Sequence, residues 1–217
     1  MAEVTSTSIK GAFDATRAEG RAALMPYLMG GFPDQGTATA VAGAYADAGA
    51  DLIELGVPFS DPLADGPTIH AADTAALAAG ATLESVLETC QAVAGRIPVA
   101  LMAYANMILA RGVEEFSELA ADAGAAGVIV PDLPLEEQGP IGESLGSHGL
   151  DLIPLVAPTT PPDRRARICA AAHGFVYLVS TVGVTGERAE LPPELTDLIA
   201  SARSEASVPV EIGRAHV

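Results

Sequence analysis

Seven short apolar runs, ALMPYLM, DLIEL, IPVALM, AGVIV, LDLIPLV, FVYLV and VPV, recur along the chain with stretches of helical period between them. Runs of this length with little polar alternation read as strands buried on both faces, which occur where helices cover a parallel sheet. Between them, Val41/Tyr45/Ala48, Leu83/Val86/Leu87/Cys90, Val113/Phe116/Ala120, Pro161/Ile168/Ala172 and Leu191/Leu195/Leu198/Ala202 each place one apolar stripe on a helix. The class is α/β, strand then helix, repeated. AGADLIE, AGAAGVIV, HGLDLIP and HGFVYLV put a glycine just ahead of a strand, where a helix ends in a left-handed cap. Gly124, Gly149 and Gly174 are 25 residues apart, one βα unit per step. No GxGxxG follows the first strand, so the pattern predicts a (β/α)₈ TIM barrel rather than a doubly wound open sheet. SIKGAFDATRAEG, ahead of the first strand, reads as a helix closing the barrel's bottom. No linker-like tract divides the chain, which predicts one domain.

Composition narrows the function. A chain of 217 residues that is 49% hydrophobic can bury one sizeable core unaided. Cys90 and Cys169 fall in apolar helical stretches as small hydrophobes, and no Cys/His spacing suggests a metal site. The first residues lack a basic segment followed by an apolar one, and no run approaches the roughly 20 residues that span a bilayer. The expectation is a cytoplasmic protein with no membrane role. Acidic residues outnumber basic ones 28 to 11, a formal charge of −17, which opposes nucleic acid and anionic lipid. An anionic small substrate would need local donors, such as backbone amides at helix starts.

In barrels of this kind chemistry sits on the loops after the strand C-termini. Glu54 lies at such a junction. Alternation puts Leu52, Glu54 and Gly56 on one face of the strand and Ile53, Leu55 and Val57 on the other. A buried carboxylate is costly unless paired, and no Arg or Lys is near in sequence, so a catalytic role is favoured over a structural ion pair. Asp65, in Ala-Asp-Gly-Pro, and Asp61, before Pro62, are by themselves ordinary turn residues.

The whole run LIELGVPFSDPLADGPTI, Leu52 to Ile69, resembles the corresponding stretch of tryptophan synthase α subunits nearly residue for residue. The similarity continues in PYLMGGFPD (Pro26 to Asp34), LMAYAN (Leu101 to Asn106), VPDLPLEE (Val130 to Glu137) and YLVSTVGVTGER (Tyr177 to Arg188). It covers residues 8 to about 210.

The resemblance implies a lyase of tryptophan biosynthesis that cleaves indole-3-glycerol phosphate to indole and glyceraldehyde 3-phosphate with no cofactor of its own. It implies that Glu54 shuttles protons and that Asp65 receives the indole N–H. It further implies that Tyr177, Tyr27, Met102 and Tyr104 line the indole pocket, and that Thr185 and Gly186 belong to a loop closing over substrate. A pyridoxal-phosphate-dependent β subunit is the implied partner, in an αββα complex. Coupling to it is expected at the loop from Pro58 to Asp65 and at LPLEE from Leu133. A Schiff-base aldolase would need a buried lysine, whereas the single lysine is Lys10, ahead of the first strand. A metal aldolase would need clustered ligands, whereas His70, His148, His173 and His216 are isolated. Another phosphate-binding barrel is the enzymatic alternative.

Residues 1–210 are expected to form a partial barrel, six strands and the start of the seventh, since about 250 residues are usual for a complete one. EIGRAHV, residues 211–217, departs from the family and is expected to be a non-native tail. One codon choice for it gives a sequence that resembles a common sequencing adapter. A barrel left open in this way is expected to expose strand edges and to be unstable or aggregate; the alternative to the lyase is therefore an inactive barrel that retains at most partner binding.

Overall fold

A computed structural model describes residues 8–180 and 195–213 of the chain. Each apolar run becomes a strand: β1 (Tyr27–Met29), β2 (Ile53–Gly56), β3 (Val99–Met102), β4 (Gly127–Ile129), β5 (Asp151–Ile153) with β6 (Leu155–Val156), β7 (Val176–Val179) and β8 (Val210–Gly213). All pairings are parallel, in the order β1-β2-β3-β4-β5 and β6-β7-β8. The run LDLIPLV divides at Pro154. Proline has no N–H to give a ladder, so Ile153 pairs with Ile129 of β4 while Leu155 pairs with Tyr177 of β7. The Pro154 carbonyl still accepts the Tyr177 N–H at 2.9 Å, which carries the barrel wall across the break. Among the described residues β1 and β8 have a strand neighbour on one side only, so the barrel is open there.

The helices are α1 (Ile9–Ala18), α2 (Gln35–Asp47), α3 (Pro67–Ala78), α4 (Leu83–Val93), α5 (Ala105–Arg111), α6 (Val113–Asp122), α7 (Gln138–Ser147), α8 (Pro162–Ala170) and α9 (Leu195–Glu205). Their starts are set by short polar side chains that accept otherwise orphaned N–H groups. Asp34 accepts from Thr37 on α2, and Thr82 and Ser85 cap α4 reciprocally. Their ends use the expected glycines, with φ of 79° at Gly124, 76° at Gly149 and 65° at Gly174. At Gly174 an added Cβ would also lie 2.7 Å from Ile153 Cδ1, so both conformation and space require glycine.

Strand alternation sorts the apolar side chains into two layers. Leu52, Ala100, Met102, Ala126, Ile129, Ile153, Phe175 and Tyr177 pack inside the barrel. Ile53, Leu55, Val99, Leu101 and Val128 point outward onto Val86, Leu87, Cys90, Phe116 and Leu145 of the helices. Each fully buried Leu, Ile or Phe contributes about 1.5–3 kcal/mol. Helix α1 closes the bottom as expected: Ile9 is 1% exposed among the inner residues, and the Phe13 and Phe175 ring centroids are 5.8 Å apart. Arg21 grips both carboxylate oxygens of Asp51 at 2.7 Å, and Asp51 also accepts the Leu24 N–H at 2.8 Å. That clamp fixes the segment between α1 and β1 against the start of β2. Of residues 211–217, Glu211–Gly213 are paired to β7 within β8, and 214–217 lie outside the described residues.

Candidate active site

The inner face of β2 brings Glu54 into the barrel, in register with Tyr27 on β1 and Ala100 on β3, at 4% exposure. Leu52, one layer below, belongs to the inner apolar cluster, so the carboxyl stands on an apolar floor. Gly56, one layer above, makes room for Tyr27. A Cβ there would sit 2.1 Å from the Tyr27 hydroxyl oxygen. Burial holds the Tyr27 hydroxyl well above its ordinary pKa, and the charges of Asp65, Asp73 and Glu54 push it further the same way. It therefore stays protonated, and it donates to Met29 Sδ at 3.9 Å.

Asp65 lies on the β2–α3 loop, half-buried. Tyr104, the N-cap residue of α5 just past β3, donates its hydroxyl hydrogen to Asp65 Oδ2 at 2.8 Å and accepts the Ala64 N–H at 3.0 Å. The Phe59 and Tyr104 ring centroids are 5.3 Å apart. Tyr104, placed in the sequence among pocket-lining residues, thus holds the acidic loop itself. Asp61, by contrast, is exposed and accepts the Ser60 hydroxyl at 2.6 Å, as a turn residue does.

Met102 at the end of β3 and Tyr177 on β7 face the same interior, 8% and 3% exposed. Tyr177 lies against Gly213, where a Cβ would be 2.0 Å from the ring. Thr185 and Gly186 lie outside the described residues. A cavity of about 520 Å³ opens beside the Asp65 loop, lined by Ala64, Leu133, Leu155, Thr160, Arg164 and Val179. Leu133 and Leu135, from the LPLEE stretch, line it too.

Two carboxyls of this region were not singled out from the sequence. Asp73 on α3 is 2% exposed and accepts the Phe59 N–H at 3.2 Å. Its signal was present: Ile69, Asp73 and Ala76 share the inward face of the helix, where an acid is out of place. Glu211, paired with Tyr177, has a buried oxygen, Oε2, without a hydrogen-bond partner. Burial pushes its pKa up to about 9, with the charge of Glu54 acting in the same direction. No helix among the described residues is long and apolar enough to cross a membrane.

The chain is similar to known proteins over nearly its whole length. The family model described as tryptophan synthase alpha chain matches residues 13–214. The tryptophan synthase alpha chain of Synechococcus sp. (strain CC9902) is 48% identical over 215 residues, 98% of this chain and 80% of that one. That of Roseiflexus sp. (strain RS-1) is 50% identical over 207 residues, 93% of this chain and 78% of that one. Among solved structures, Mycobacterium tuberculosis tryptophan synthase superimposes with a TM-score of 0.89 at 38% identity, covering 95% of this chain and 80% of that chain. The tryptophan synthase a2b2 complex of the hyperthermophile Pyrococcus furiosus gives 0.82 at 37% identity, covering 90% and 79%. With a family match that runs through nearly all of its strands and helices, the chain belongs to the tryptophan synthase alpha chain family.

Proposed function

We propose that the chain cleaves indole-3-glycerol phosphate by a retro-aldol reaction, with Glu54 as proton carrier and Asp65 as the carboxylate facing the indole nitrogen. The observation that carries this reading is the pair of differently housed acids. Glu54 is buried within β2 on the barrel's inner face, while Asp65 is held on the loop above it by Tyr104.

The carbon–carbon bond breaks once indole C3 has accepted a proton and become tetrahedral, so that the ring can take the bonding electrons. A positioned acid must deliver that proton, and the side-chain hydroxyl must lose its own as the aldehyde carbonyl forms. Glu54, on the apolar floor of the inner cluster and facing Tyr27 and Glu211, is placed to deliver the first proton and, as the carboxylate so formed, to accept the second. Positive charge developing on the ring nitrogen then falls to Asp65, whose orientation is set by the Tyr104 hydroxyl. General acid–base steps of this kind are each worth roughly 10²–10⁴-fold. Tyr27, Met102 and Tyr177 would flank the indole ring, and Thr185 and Gly186 would supply closure over the substrate. The acidic surface makes backbone amides the fitting donors for the phosphate.

The partner is the tryptophan synthase β subunit, which carries the pyridoxal phosphate, and the working assembly is αββα in the cytoplasm. We also take residues 1–210 as the catalytic barrel portion. The test of the catalytic assignment is Glu54→Gln, assayed by indole release with the β subunit present. A loss of roughly 10²-fold or more with the fold retained is expected. Near-normal turnover would remove Glu54 from the mechanism.

A further inference from the structure

We propose that Asp73 is a positioning residue for Asp65: it holds the Phe59 N–H, Phe59 braces the Tyr104 ring, and Tyr104 holds Asp65 and the Ala64 backbone. The inference rests on the role of Asp65 given above. Its geometric basis is a closed circuit around the acidic loop. The loop leaves β2 at Gly56 and enters α3 at Pro67. Near its start, Phe59 is tied to α3 through Asp73 Oδ1 at 3.2 Å. Near its end, Ala64 and Asp65 are tied to Tyr104 at 3.0 and 2.8 Å. The two ties meet in the Phe59–Tyr104 ring contact, with centroids 5.3 Å apart. Loosening either tie frees the other.

A carboxylate at this place is otherwise hard to account for. Asp73 is 2% exposed, and its second oxygen is buried without a hydrogen-bond partner. A structural acceptor for one N–H could have been a neutral side chain, at no cost in buried charge. A charged acceptor binds an N–H roughly twice as strongly as a neutral one, which suits a tie that must hold a loop in place. The titratable groups around Asp73 are Tyr27 on β1, Asp65 on the loop and His70 one turn earlier on α3. Burial pushes the Asp73 carboxyl up to about 6, with the Phe59 N–H opposing, the charge of Asp65 adding and that of His70 opposing. The tie therefore strengthens as the acid ionises just below neutral pH.

The test follows the Phe59 amide resonance and indole formation in the same pH series, for the full chain with and without the β subunit. In the unmodified chain the Phe59 amide shift is expected to move with a midpoint near pH 6. Asp73→Asn keeps an acceptor but no charge: the Phe59 transition should vanish, and kcat should fall about 3- to 10-fold with KM within about twofold. Asp73→Leu removes the acceptor and should lower kcat by about 100-fold, again with little change in KM. A folded Asp73→Leu variant with unchanged kcat overturns the proposal, as does a Phe59 amide that does not titrate between about pH 5 and 7. If Asp73→Leu does not fold, Asp73→Asn and the amide titration still decide. Absence of indole from the unmodified chain at every pH would sink the assigned reaction instead, while the Phe59 titration would still report on the tie itself.

Discussion

The Tyr104 hydroxyl donates to Asp65 Oδ2 at 2.8 Å while accepting the Ala64 N–H at 3.0 Å, so one side chain past β3 orients both a carboxylate and its backbone on the loop past β2. Two βα units of the barrel are joined at the site by this single oxygen. Tyr104→Phe removes the donor and leaves the Ala64 N–H without this acceptor. A hydrogen bond to a charged group is worth about 1.5–3 kcal/mol. Indole formation should therefore fall about 10- to 100-fold in kcat/KM, with the circular dichroism spectrum unchanged. A Phe variant as fast as the parent would show that Asp65 needs no such support.

Gly56 and Tyr27 occupy one space. With a Cβ at Gly56 only 2.1 Å from the Tyr27 hydroxyl, Gly56→Ala must drive the ring out of its position. Overpacking of this kind costs about 1–3 kcal/mol. Denaturant unfolding should show that loss, and Tyr27→Ala in the same chain should return part of it. The coupling between the two positions should exceed about 0.5 kcal/mol, and strictly additive values would contradict the close contact.

Glu211 carries a pH signature. Its folded-state pKa of about 9 lies above the ordinary 4.5, so the folded chain binds a proton that the unfolded chain releases. Stability is then lost as pH rises from about 4.5 towards 9. Glu211→Leu removes the titration and leaves no buried oxygen unpaired. Its stabilising effect in urea unfolding should be small at pH 5 and grow steadily up to pH 9. A difference independent of pH would mean the side chain is solvated.

The Arg21–Asp51 clamp has the opposite sign. Hydrogen bonding to Arg21 is the largest cause holding Asp51 below its ordinary 3.8, so the clamp's contribution is complete above that value and is lost as pH falls below it. Arg21→Ala should lower the melting temperature at neutral pH. The gap between the two proteins should close in acid, which thermal melts between about pH 2 and 7 would reveal.

Much of the barrel is legible before any coordinates. Unbroken apolar runs, helical stripes and pre-strand glycines each report a local requirement: burial on both faces, one apolar stripe, or a left-handed cap. Those requirements hold at Gly124, Gly149 and Gly174, and along β2, where Glu54 does share the inner face with Leu52. The division at Pro154 is local chemistry as well, since a residue without an N–H interrupts a ladder, yet which neighbour each half joins is not. Asp61 and Asp65 look alike as turn acids, and nothing in their spacing separates them.

The sequence by itself determined the α/β order, the inward direction of Glu54 and, through its motifs, the family. It could do so because these depend on periodicity and on residue types within a few positions of one another. Only the tertiary structure decided that Tyr104 is tied to Asp65, that Asp73 reaches Phe59, and that Glu211 faces the charge of Glu54. Tyr104 and Asp65 are 39 residues apart in the chain. Partners this distant meet because neighbouring parallel strands bring their C-terminal ends together at one end of the barrel, and that alignment is a property of the sheet rather than of any segment within it.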